Sequence, residues 1–164
     1  YARMDIIYNE GGIYLDTDVE LIKDLEDLLY QKAFFSVDFS HLINSGLGFG
    51  AEKNNNYIKM LMDMYIDMHF VNKDGSYNEV PVPELQRKFF KKLGYKENGE
   101  YCVVDDITIL PETIFAGYNN LVDRFNITDK TYALHHFEGT WTSDESKRQV
   151  RGMQKLFKMC TKYK

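Results

Sequence analysis

The segment Gly11-Gly12-Ile13-Tyr14-Leu15-Asp16-Thr17-Asp18-Val19-Glu20 constrains this chain more than any other. A glycine pair interrupts what precedes it, three apolar, β-prone residues follow, and two carboxylates then stand two residues apart. A short buried strand that ends in paired carboxylates lets a sheet present a hard divalent cation to a phosphate. In a regular strand the side chains at i and i+2 share one face. If the chain turns there, one carboxylate holds metal while the other reaches metal through water, or reaches a ribose hydroxyl. For an isolated Asp-x-Asp the plain alternative is two solvated turn residues, and the Gly-Gly-Ile-Tyr-Leu context argues against it.

Two other acidic-loop chemistries can be weighed. An EF-hand loop opening at Asp16 needs Gly at its sixth position and Glu at its twelfth. Those positions hold Leu21 and Asp27, so that reading fails. An aspartyl-phosphate phosphatase places a nucleophilic Asp and an acid Asp two apart after an apolar strand. Asp16 and Asp18 fit it, and Asp105-Asp106 could supply its later acidic pair. That pattern usually carries Thr or Val where this chain has Glu20, and it stands as the competing enzyme reading.

A second constellation is Tyr132-Ala133-Leu134-His135-His136-Phe137-Glu138-Gly139-Thr140-Trp141. An imidazole at a strand end can complete a carboxylate metal shell. Gly139 would let backbone N–H groups approach a phosphate. Trp141 is the only tryptophan and could stack on a sugar; a core Trp with surface histidines is the plain alternative. A third is Asn44-Ser45-Gly46, whose amide offers donor and acceptor to sugar hydroxyls or simply closes an Asx turn.

Periodicity and punctuation predict a mixed α/β class. Residues 2–10 read as a helix ended by Gly11, with Met4, Ile7 and Tyr8 on one face. Ile13–Leu15, Val19–Ile22, Ala33–Phe39, a glycine-rich stretch over 44–51, Tyr101–Val104, Ile107–Leu110 and Tyr132–His136 read as strands. Asp24 caps a short helix through Leu29. Further helices are expected over Tyr57–Phe70, capped from Asn54-Asn55-Asn56, over Pro83–Leu93, stopped by Gly94, and over about Ser143–Lys162. Thr142 and Glu145 form a capping box at the start of the last one.

The 164 residues suit a single domain, 1–164, and a hydrophobic content of 44% is enough for a packed core. Net charge is −5 and no basic stripe alternates with aromatics, which excludes nucleic acid as a partner. Basic residues cluster in Lys147 to Lys164. That suits either an anionic membrane surface, and so a peripheral membrane association, or a solvated helix face. Cys102 and Cys160 have no ligand spacing and read as unpaired thiols of a reducing compartment. No apolar run reaches the length of a membrane span and no signal peptide opens the chain, so a cytoplasmic location is expected.

Taken together, Gly-Gly-Ile-Tyr-Leu-Asp-x-Asp and the Ala133–Trp141 segment resemble the DXD-containing sugar transferases. These include yeast α-mannosyltransferase-like and bacterial capsular-polysaccharide-type enzymes and, more distantly, the clostridial glucosylating toxins. The resemblance implies a GT-A fold, a Rossmann-like α/β domain with the DXD at its metal centre. It implies hexose transfer from a nucleotide-diphosphate sugar, a UDP-sugar by family habit, to a saccharide acceptor. Retention of configuration, Mn²⁺ or Mg²⁺, and a place in surface or capsular polysaccharide synthesis come with it. By the same resemblance Asp18 is a direct metal ligand, Asp16 binds ribose or metal, and His136 is the late metal ligand, ahead of His135. Arg3 lies near the donor, Tyr14 packs by nucleotide or sugar, Asn44 faces the donor sugar, and Gly139 and Trp141 lie near the diphosphate. Asp38, Asp105 and Asp106 are polar supports with no assigned role.

One departure is that the family's Ser-Asp pair, whose Asp contacts the nucleotide, would fall just before Tyr1, together with the first strand and base-binding loops. The expectation is therefore the C-terminal larger part of a GT-A catalytic domain, weakly folded and inactive by itself. An inactive carbohydrate-binding remnant is the non-enzyme alternative.

Overall fold

Short apolar runs between glycine, asparagine and proline stops set the elements, and the computed structural model describes residues 1–119, 122–139 and 142–161. In chain order these are α1 (Ala2–Glu10), β1 (Gly12–Tyr14), β2 (Val19–Leu21), β3 (Ala33–Ser36), β4 (Phe49–Ala51), α2 (Asn56–Asp63), α3 (Val82–Leu93), β5 (Cys102–Val104), β6 (Ile107–Leu110), α4 (Glu112–Phe115), β7 (Tyr118–Asn119), β8 (Arg124–Phe125), β9 (Ala133–His135) and α5 (Asp144–Thr161). A 3₁₀ turn at Glu26–Leu28 stands where the short helix after Asp24 is expected. The chain divides into two units, Tyr1–Asp16 with Leu25–Glu112, and Thr17–Asp24 with Thr113–Lys164.

The first unit holds a five-stranded mixed sheet in the order β1-β4-β3-β6-β5, flanked by helices. Only β3 and β6 run parallel, with Ala33 opposite Ile107 and Phe35 opposite Ile109. All four residues of each of these two strands are buried, the sign of a central pair covered on both faces. Phe35 stacks on Phe49 with centroids 5.3 Å apart and meets Phe90 of α3 edge-on at 5.0 Å. Met4 and Ile7 of α1 and Ile58 and Leu61 of α2 close the same core. Each such side chain contributes about 1.5–3 kcal/mol by leaving water. This α/β architecture is the class the sequence predicts and is compatible with a GT-A-type domain.

Local chemistry explains the helix ends. Gly11 takes φ 72°, and its N–H donates to the Ile7 carbonyl at 2.8 Å. That left-handed geometry strains any residue with a Cβ. Asn55 caps α2, its side-chain oxygen accepting the Tyr57 N–H at 3.0 Å. This helix stops at Asp63, short of the expected Phe70. Beyond it Ile66 and Phe70 are exposed, so the continued apolar stripe has no core to cover it. Gly94 closes α3 with φ 105°.

The second unit pairs β2 with β9 antiparallel, Val19 opposite His135 and Leu21 opposite Ala133, and pairs β7 with β8. Phe115 of α4 stacks on Tyr132. Neither α4 nor the β7–β8 ribbon is expected from sequence, because elements of two to four residues are too short to show a period. The capping box at Thr142 does not form: Ser143 Oγ accepts the Ser146 N–H at 3.2 Å, one residue later. Lys162, the expected end of α5, lies outside the described residues.

Candidate functional site

In the first unit, Asp16 follows β1 and is held on three sides. Tyr14 Oη donates to its Oδ1 at 2.7 Å, and the Arg3 guanidinium lies 3.2 Å from the same oxygen. Arg3 also sits 4.8 Å from the Tyr14 ring centroid, a cation–π contact. The Asp16 N–H donates to the Gly46 carbonyl at 3.3 Å. Arg3, Tyr14 and Asp16, three residues singled out by sequence, therefore form one cluster. Arg3 reaches it because only Gly11 separates α1 from β1, so the helix lies back along the strand.

The 38–46 loop supplies the other wall. Asp38 Oδ1 accepts from the Ser40 N–H at 2.8 Å, and Asn44 Nδ2 donates to Asp38 Oδ2 at 3.4 Å. Asn44 Oδ1 accepts the Gly46 N–H at 3.0 Å, so the Asx turn, the plain alternative for this segment, is formed. Tyr95 anchors the loop by donating to the His41 carbonyl at 2.9 Å, and burial pushes its phenol up to about 12. Gly46 is a residue that the sequence reading leaves unassigned. A Cβ there would lie 2.7 Å from Asp16 Oδ2 and 3.1 Å from Asn44 Oδ1, so only glycine admits both groups.

In the second unit, Asp18 opens the β2 segment and His135 ends β9. His135 Nε2 is 3.4 Å from Asp18 Oδ1, and the Glu138 N–H donates to Asp18 Oδ2 at 3.0 Å. The Phe137 N–H donates to His135 Nδ1 at 3.0 Å, which leaves Nε2 as the nitrogen facing the carboxylate. His136 turns the other way. It is exposed, and its Nε2 pairs with Glu20 Oε2 at 2.9 Å. Strand alternation is the cause: register sets His135 opposite Val19 and buried, and the next residue must face outward. The side chain beside Asp18 is thus His135, where His136 was expected.

Gly139 takes φ 52°, and its carbonyl accepts the Thr142 N–H at 2.9 Å. Trp141 lies outside the described residues. Asp105 is the left-handed residue of the β5–β6 turn, and Asp106 pairs at 3.0 Å with Lys32, which precedes β3. Cys102 and Cys160 are free thiols.

Of the two carboxylates, Asp16 closes the first segment of one unit and Asp18 stands second in the other unit. The chain itself keeps them two residues apart. Within the second unit, the Asp18 carboxylate and the His135 imidazole nitrogen are a donor pair suited to a divalent cation. No curated protein and no solved structure matches the chain. Residues 1–35, which hold Arg3, Tyr14, Asp16 and Asp18, match the family model of the glycosyltransferase sugar-binding region containing a DXD motif.

Proposed function

We propose that this chain is the catalytic part of a metal-dependent glycosyltransferase that moves a hexose from a UDP-sugar to a saccharide acceptor with retention, in surface polysaccharide synthesis. The observation that carries the reading is the DXD segment itself, whose first carboxylate is oriented by Arg3 and Tyr14 and whose second is faced by His135. In this reading the chain forms a single GT-A domain.

In this reading Asp18 and His135, which face each other within one unit, would each offer a ligand atom to Mn²⁺, His135 through Nε2, and Asp16 would bind ribose or metal. When bound, the cation neutralises charge on the departing diphosphate. The protein's share is positional. Arg3 and Tyr14 hold Asp16 in one rotamer, and the Glu138 amide fixes Asp18. Asn44 and Asp38 present polar groups to the donor-sugar hydroxyls. The acceptor hydroxyl attacks the anomeric carbon on the face from which the diphosphate departs, since no carboxylate is assigned as a covalent nucleophile.

A thermal-shift titration with UDP and with GDP, each with and without Mn²⁺, tests this. Stabilisation that needs both UDP and Mn²⁺, and that disappears in Asp18→Ala, is expected. A folded sample that responds to neither nucleotide with Mn²⁺ would sink the reading.

A further inference from the structure

The last helix, α5, carries five basic and two acidic side chains in a chain whose net charge is −5. At 3.6 residues per turn, Lys147, Arg148, Arg151, Lys155 and Lys158 project onto one arc about 100° wide. Met153, Leu156 and Cys160 follow the i, i+3, i+7 spacing of a separate stripe. The structure shows what the sequence leaves open, namely which of these faces is covered. The helix is tethered to its own unit through Phe157, whose ring lies 5.2 Å from the Arg124 guanidinium, and through Lys158, which pairs with Asp123 at 2.5 Å. Val150, Gln154 and Phe157 are half-buried along that side.

Away from the tether the apolar stripe is open. Met153, Leu156 and Met159 are 51%, 63% and 63% exposed, and Cys160 is exposed beside them. Arg148 and Lys155, both exposed, border the Met159 and Leu156 edge of the apolar side chains, and Arg151 lies round on the far face. A purely solvated face has no reason to carry three large apolar side chains in register, and a nucleic-acid face has no use for them. Apolar side chains bordered by lysine and arginine match the layered chemistry of a bilayer interface, with acyl chains below and anionic headgroups above. No described helix is long and apolar enough to cross a membrane, so the contact is with the surface.

We infer that α5 is an interfacial helix that seats this chain on an anionic lipid surface through Met153, Leu156 and Met159, steered by Arg148 and Lys155. This inference does not depend on the transferase reading.

Co-sedimentation of the chain with vesicles tests it, comparing pure phosphatidylcholine with an equimolar mixture of phosphatidylcholine and phosphatidylglycerol. The chain should pellet with the mixed vesicles alone and be released progressively by salt. Arg148→Gln with Lys155→Gln should weaken partitioning about 25-fold, at about five-fold per charge. Leu156→Ser with Met153→Ser should abolish pelleting while leaving the thermal transition in place, because both positions are exposed. Failure of the wild-type chain to pellet with mixed vesicles would overturn the inference. So would pelleting that survives both double substitutions, or a Leu156-dependent dimer in sedimentation velocity with no vesicle binding.

Discussion

Tyr14 and Asp16 face each other across the single residue Leu15, the phenol donating to the carboxylate at 2.7 Å while Arg3 holds the same oxygen from the helix side. Because i and i+2 share a face of the strand, the sequence spacing alone brings the two side chains together. Tyr14→Phe removes the hydroxyl and little else. A supporting hydrogen bond to a ligating carboxylate is worth about 10- to 100-fold in metal affinity. Isothermal titration should show Mn²⁺ binding weakened by about ten-fold in Tyr14→Phe, with the melting temperature little changed. An unchanged Mn²⁺ affinity would remove Tyr14 from the site.

Gly46 sits where any side chain would collide with Asp16. The missing Cβ lies 2.7 Å from the carboxylate, so Gly46→Ala must push Asp16 off its hydrogen bond or displace the 38–46 loop. Overpacking of this kind costs on the order of 1–3 kcal/mol. The expected result is loss of the Mn²⁺-dependent response to UDP, together with a measurable fall in denaturation midpoint. A variant that binds as the parent does would mean that Asp16 is free to turn away.

The two histidines separate cleanly by experiment. His135 is buried against Asp18, whereas His136 is exposed and paired with Glu20. His135→Gln should lower Mn²⁺ affinity about 10- to 100-fold. His136→Gln should change it by less than about two-fold, as expected of an exposed surface contact. The reverse order of effects would return the metal assignment to His136.

This pair shows where sequence reasoning reached its limit. The helix over 2–10, the strand after Gly12, α3 and the Asp-x-Asp pair are legible because each is contiguous and punctuated by glycine, proline or asparagine. Choosing His135 over His136 needs the β2–β9 register, a long-range pairing that no local pattern encodes. A stricter reading of alternation from Ala133 would have placed His135 on the buried face. Gly46 is harder still, since its importance comes only from a carboxylate far away in the chain. Residues 64–70 mislead in the opposite sense: they keep a helical stripe, yet Ile66 and Phe70 stay exposed.

Glu97 offers a test of the fold that is independent of any ligand. Its carboxylate is gripped by Arg87, Nε to Oε1 at 2.6 Å and the second guanidinium nitrogen to Oε2 at 3.0 Å, and by Lys91 at 2.9 Å. Hydrogen bonding from Arg87, chiefly, holds its carboxyl down from 4.5 to about 2. The folded value is below the unfolded one, so the unfolded chain binds the proton more readily in acid. The contribution of this group is therefore complete above about pH 4.5 and is lost as pH falls from 4.5 toward 2. Arg87 and Lys91 are both partly solvated, and solvent screening holds the contribution to on the order of 1 kcal/mol. Glu97→Gln should lower the urea midpoint at pH 7 and narrow its difference from the parent as the pH approaches 2. A difference that is constant from pH 7 down to 2 would mean that the Arg87–Glu97 pair does not hold α3 to the segment that follows it.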